Sequence, residues 1–96
     1  MHDIHLNDLV SMISHYYMHI ERNVTYPKNA PRLVGEIDVI GWNEGIMDIY
    51  EVKCNNSMPL LRKAHSQLTR ARAYWGFEGD SYLYTPQTKI ITLGDL

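Results

Sequence analysis

The sequence predicts an α/β fold, a central mixed sheet flanked by helices. Three observations carry that expectation. Residues 7–21 and 59–75 each place apolar side chains at three- and four-residue steps, the period of a helix with one buried face. Residues 33–54 hold two runs rich in β-branched residues, split by the turn signal Asn43-Glu44-Gly45. Two short strand-like runs come after the second helix, around Pro86. The order is therefore α-β-β-α-β-β.

In the first helix, Leu6, Leu9, Val10, Ile13, Tyr17 and Ile20 make the apolar face, and Asn7 or Asp3 is placed to cap its start. Asn23 and Pro27 mark its end. Val24-Thr25-Tyr26 leaves room for a short extra strand before a loop holding Pro27, Asn29 and Pro31. Leu33 to Trp42 reads as a strand through Val34, Ile37, Val39 and Ile40, and Ile46 to Cys54 reads as its hairpin partner. Ser57 is placed to cap the second helix, and Pro59 suits an early helical position. Leu60, Leu61, Ala64, Leu68, Ala71 and Trp75 form its apolar stripe, and Gly76 and Gly79 close it. Tyr82-Leu83-Tyr84 and Lys89 to Leu93 are the last two strands.

A chain of 96 residues suits one domain, here expected to span 1–96. Its hydrophobic fraction of 45% and charged fraction of 21% are ordinary for a soluble protein. No apolar run is long enough to span a membrane, and Met1-His2-Asp3-Ile4-His5 lacks the features of a signal peptide. Cys54 is the single cysteine, so no internal disulfide forms and a reducing, cytoplasmic setting is expected. The net charge of −2 is low for a nucleic-acid binder, but a local basic face matters more than the sum.

The chemistry concentrates in Gly35-Glu36-Ile37-Asp38-Val39-Ile40 and Ile49-Tyr50-Glu51-Val52-Lys53. Strand side chains alternate between faces, which pairs Glu36 with Asp38 on one strand and Glu51 with Lys53 on the next. Their neighbours are Ile, Val and Tyr, so these strands should be largely buried. Charged groups are seldom buried unless paired or bound to metal. Two carboxylates about 4 Å apart repel by roughly 4 kcal/mol at an effective dielectric near 20. Lys53 offsets part of that repulsion, and a divalent cation would offset the rest. Hard oxygen donors suit Mg²⁺ or Mn²⁺. Such a metal polarises a phosphodiester and acidifies a bound water, while a lysine stabilises the developing charge.

An acidic residue, a hairpin and then Glu-x-Lys resembles the signature of PD-(D/E)XK nucleases. Here it reads Ile37-Asp38 and Glu51-Val52-Lys53, with Ile37 in place of the proline. Glu21, at the end of the expected first helix, matches the family's first acidic residue, and Gln67 matches a glutamine on the helix after the lysine. Among branches the chain looks most like archaeal Holliday junction resolvases and stand-alone VRR-NUC domains. The resemblance implies a restriction-endonuclease-like core and metal-dependent DNA cleavage by Asp38, Glu51 and Lys53, with Glu21 and Gln67 assisting. It implies Mg²⁺ or Mn²⁺ held by Asp38, Glu51 and the Val52 carbonyl. It also implies a homodimer cutting branched or junction DNA. Two other readings stand beside it: an exonuclease or flap nuclease acting on ends or single strands, and a non-catalytic DNA-binding module.

The second helix adds independent support. Lys63, Gln67 and Arg70 fall on one face, flanked by Arg62 and Arg72, the one basic concentration in the chain. The competing reading of these four cations is a solvated helix face. For Asp38, Glu51 and Lys53 it is a structural ion-pair cluster, and for Glu36 a solvent-side charge. His2, His5, His15, His19 and His65 lack zinc spacing with cysteine, although His15 and His19 stand four apart on the expected helix. Tyr16, Tyr17, Tyr74 and Trp75 are placed for core packing, a dimer patch or stacking on bases.

Overall fold

Asn43 fixes where the first helix gives way to a strand. Its Oδ1 accepts the Met18 N–H at 3.1 Å and its Nδ2 donates to the Tyr16 carbonyl at 3.0 Å. In the computed structural model, which describes residues 2–27 and 34–93, α1 runs over His2–Ile13 and a 3₁₀ turn over Ser14–Tyr16. Strand β1 then spans His19–Pro27. The helix expected to reach Glu21 therefore stops eight residues short of it, at Ile13. Tyr17 is already extended, at φ −123° and ψ 146°. Tyr17 and Ile20 still pack against the core that α1 covers, so their helical spacing reflects a shared destination rather than a shared helix. The segment with Asn29 and Pro31, and the expected strand start at Leu33, lie outside the described residues.

The hairpin forms as expected. Strand β2 is Val34–Asn43 and β3 is Ile46–Val52. Asn43 pairs with Ile46 across a two-residue loop in which Gly45 holds a left-handed φ of 69°. Helix α2 spans Met58–Trp75 and ends on Gly76, whose φ of 68° lets its N–H donate to the Arg72 carbonyl. Ser57 stands at the N-cap, but its hydroxyl makes no capping bond. Strands β4 (Ser81–Thr85) and β5 (Lys89–Thr92) complete the chain's described elements.

The fold is α/β, with a five-stranded mixed sheet in the order β1-β2-β3-β4-β5. Strands β3 and β4, joined through α2, run parallel and the other neighbours antiparallel. To the six expected elements the fold adds the edge strand β1, longer than the short extra strand for which Val24-Thr25-Tyr26 left room. One helix covers each face. Leu6, Leu9 and Ile13 of α1 pack on Val39, Tyr50, Val52 and Tyr84. Leu68 and Ala71 of α2 pack on Ile37, Ile40, Met47 and Ile49. Among the described residues, no helix is long and apolar enough to cross a membrane.

The sheet carries an irregularity at the level of Asp38. Ile37 and Ile40 both join the α2 core, although three residues apart, while Val39 joins the α1 core. The in–out alternation of β2 thus slips by one at Asp38. The opposite strand slips at the same level. Arg22 donates to Asn7 on the α1 side, Val24 packs on the α2 side, and Asn23 between them holds φ 52°. Register places Asn23 across from Asp38, between the pairs Arg22–Val39 and Val24–Ile37. Paired slips of this kind re-aim side chains without ending the strands.

The Tyr17 ring lies over Gly41, where an added Cβ would stand 2.7 Å from its carbons. The ring cannot yield freely, because its hydroxyl donates to Asp48 and meets the Tyr50 hydroxyl. Gly41→Ala should therefore cost about 1–3 kcal/mol in denaturant unfolding. An unchanged midpoint would show that Tyr17 is not fixed there.

Candidate active site

Strands β2 and β3 pair from Asn43–Ile46 up to Val39–Tyr50, and there the ladder stops. Beyond that level β3 continues only with β4, through Glu51–Leu83 and Val52–Tyr84. Asp38 and Glu51 stand at the point of parting, and their side chains take over bonding between the strands. The Val52 N–H donates to Asp38 Oδ2 at 2.8 Å, and the Asp38 N–H donates to Glu51 Oε1 at 3.3 Å. Each carboxylate thus accepts from the backbone of the opposite strand. Both are buried, Glu51 to 2% exposure and Asp38 to 6%.

Lys53 comes immediately after. Its backbone N–H donates to the Tyr84 carbonyl, which carries the chain past the end of β3. Its Nζ lies 3.6 Å from Glu51 Oε2. The ammonium group is thus shown against Glu51 and not against Asp38. The Glu51 carboxyl is pushed up to about 8, chiefly by burial and next by the negative charge of Asp38, with Lys53 opposing both.

The structure adds a residue that sequence reasoning misses. His2, in the first turn of α1, places Nε2 3.3 Å from Asp38 Oδ2 and 3.2 Å from the Val52 carbonyl oxygen. Both partners are acceptors only, so Nε2 carries the hydrogen. A signal is present: His2 precedes Leu6 by four residues and so shares its inward face. Starting the helix at Asn7 hides that relation.

Glu21 is corrected in position. It lies on β1 opposite Ile40, not at a helix end. Its carboxylate accepts from Trp42 Nε1 at 3.0 Å and lies 3.6 Å from His19 Nε2. His19 is likewise on β1, so His15 and His19 share no helix. Gln67 is half-buried on α2, and its Oε1 is the one buried side-chain oxygen or nitrogen without a hydrogen-bond partner among the described residues. Arg62, Lys63 and Arg70 are exposed on α2. Arg72 differs: its guanidinium donates to the carbonyls of Phe77 at 2.9 Å and Asp80 at 2.8 Å, clamping the turn into β4. Glu36 is exposed and Cys54 half-buried. No three His, Cys, Asp or Glu side chains converge among the described residues.

No family model and no curated protein matches the chain. Solved structures do. A crystal structure of AF1548, a protein of unknown function, superposes with a TM-score of 0.62 at 14% identity, over 83% of this chain and 44% of that one. The crystal structure of SSO0001 superposes with a TM-score of 0.57 at 24% identity, over 94% of this chain and 47% of that one. These likenesses establish a shared fold. The chain spans less than half the length of either protein.

Glu51 makes stability depend on pH. A carboxyl raised from 4.5 to about 8 on folding binds more protons in the folded state than in the unfolded state. Its contribution is fully present below about pH 4.5 and is lost as pH rises through about 8. In EDTA, the melting temperature should therefore fall as the pH rises from 4.5 to about 8, and Glu51→Gln should flatten that fall. A melting temperature that climbs over this interval would contradict the assignment.

Proposed function

We propose that this chain is a metal-dependent nuclease that hydrolyses DNA phosphodiesters through a PD-(D/E)XK-type site at Asp38, Glu51 and Lys53. The observation that carries the reading is the parting of β2 and β3, with two buried carboxylates and a single lysine in the gap. The lysine stands against Glu51 alone, and the Asp38 carboxylate and Val52 carbonyl converge on one point, the position of His2 Nε2.

That convergence fits a divalent cation. Asp38 and the Val52 carbonyl would hold it from the strands and His2 would add a nitrogen once its hydrogen moves from Nε2, while Glu51, which does not converge with these two side chains, would join by turning toward them. Mostly oxygen donors suit Mg²⁺ or Mn²⁺, and the imidazole tilts the balance toward Mn²⁺. When bound, the metal supplies Lewis acidity to the phosphate and a more acidic water. Lys53 holds a fixed positive charge against Glu51, placed to orient the attacking water or to steady charge building on the phosphate. Gln67 offers a free acceptor from α2, and Arg62, Lys63 and Arg70 offer phosphate contacts along the same helix. Glu21, engaged by Trp42 and His19, is assigned to holding β1 on β2 rather than to the metal. A homodimer acting on branched DNA is the quaternary reading, with exposed Ile4, Met12 and Tyr16 at the outer side of the first helix and turn available to a second copy.

The test is cleavage of a labelled four-way junction, a flap, a single strand and a linear duplex, with Mn²⁺ or Mg²⁺ and with EDTA. Cutting should need the metal, and Lys53→Ala should lower its rate by roughly a hundredfold or more. Cutting that persists in EDTA, or that ignores Lys53→Ala, overturns the proposal. DNA binding with no cutting of any substrate favours a binding module.

His2 is tested without reference to activity. Mn²⁺ should raise the melting temperature, because it binds the folded state. His2→Ala should weaken Mn²⁺ binding by about tenfold in calorimetric titration, the loss expected for a removed coordination partner. Equal Mn²⁺ affinities for the two proteins would remove His2 from the ligand set.

A further inference from the structure

Four residues of α2, Lys63, Gln67, Arg70 and Tyr74, stand at steps of four, three and four and so share one face of the helix. Arg70 and Tyr74 are tied to the carboxylate site through a third residue, Tyr26 of β1. The Arg70 guanidinium and the Glu51 carboxylate both lie within electrostatic reach of the Tyr26 hydroxyl. The Tyr26 ring is fixed: it is buried, and it lies so close over Gly35 that an added Cβ would run into it. The Tyr74 ring packs on the Tyr26 ring, centroids 5.1 Å apart and tilted by 30°. Trp75 braces both, at 4.9 Å from Tyr26 and 5.3 Å from Tyr74. Tyr74 nevertheless keeps 51% of its surface exposed.

The result is a braced aromatic ring, open on one side, one helical turn from an exposed guanidinium. Arg70 is in no ion pair among the described residues, in contrast to the carbonyl-bound Arg72 two positions on. A cation without a carboxylate partner beside an open ring suits a nucleotide, with phosphate on the cation and base on the ring. A base inside a duplex already stacks on its neighbours, so an aromatic face is useful only to an unpaired one.

We propose that the strand to be cut enters this site with an unpaired nucleotide, its phosphate on Arg70 and its base on the open face of Tyr74. The inference rests on the nuclease reading and narrows its substrate. It favours single strands, flaps and frayed branch points over duplex arms that are paired throughout.

The test is binding of a short oligonucleotide carrying 2-aminopurine, as a single strand and as a blunt duplex of the same sequence. Ca²⁺ replaces Mg²⁺ and Mn²⁺, and fluorescence and anisotropy are read together. The single strand should bind more tightly than the duplex, with its 2-aminopurine quenched by stacking. Tyr74→Ala should weaken single-strand binding by about tenfold and abolish the quenching, while leaving the duplex unaffected. Tyr74→Trp, which keeps an aromatic face, should retain both signals and controls for lost packing on Tyr26. Equal binding of the two forms, or quenching and affinity untouched by Tyr74→Ala, overturns the inference. The two readings fail separately. Stacking at Tyr74 without metal-dependent cutting removes the nuclease and keeps the nucleotide site. Cutting without stacking does the reverse.

Discussion

The exchange of bonds between Asp38 and the Glu51-Val52 segment is the constraint on which the rest of the structure depends. Two strands that part in a protein interior leave backbone N–H groups needing acceptors, and an orphaned one costs about 1–3 kcal/mol. Here the Asp38 carboxylate accepts from Val52 and the Glu51 carboxylate accepts from Asp38. The acidic residues are therefore part of the sheet as well as part of a site. Neither can be replaced by an apolar residue without stranding a donor. This explains how a small domain keeps two carboxylates buried, one of them raised to about 8 by its surroundings.

The parting also organises the two faces. Alternation slips by one residue at Asp38, and the slip is matched across the strand pair at Asn23. A slip on one strand alone would turn every later apolar residue of that strand to the wrong side. Because both strands slip together, Ile37 and Val24 stay on the α2 side while Val39 and Ile20 stay on the α1 side. The irregularity is thus confined to the level of the carboxylates, and the cores above and below it remain intact. Asn23 suits its half of the device, since asparagine tolerates a left-handed φ better than most residues.

Much of this is legible in the sequence, and the gaps have physical causes. Asp38, Glu51 and Lys53 stand out because charges within β-branched strands contradict the burial those strands imply. The hairpin loop and the stripe of α2 come from glycine position and helical period, both local signals. The start of strand β1 is mistaken for helix because Tyr17 and Ile20 reach the same core as α1, and a core-facing residue carries no mark of the backbone that delivers it. His2 and Arg72 escape for a related reason. Their roles depend on partners far along the chain or across a turn: Asp38 and Val52 for the first, the Phe77 and Asp80 carbonyls for the second. Charge pattern shows a basic helix, but only the turn geometry separates Arg72, whose guanidinium binds two carbonyls, from Arg70, which is exposed and in no ion pair among the described residues.

The same parting decides why the site lies where it does. Helix α1 covers one face of the sheet and α2 the other, so side chains from the two helices are ordinarily kept apart by a layer of backbone. An unbroken ladder between β2 and β3 would hold His2 on one side and the Glu51 surroundings on the other. Parting the strands opens that layer. His2 reaches Asp38 and Val52 from the α1 side, while Glu51, two residues beyond Ile49 of the α2 core, lies within electrostatic reach of Tyr26. Groups of the α1 side and groups of the α2 side then meet at one pair of carboxylates, as the proposed cleavage requires. A regular sheet would have been simpler to stabilise, but it would have kept those two sets of groups apart.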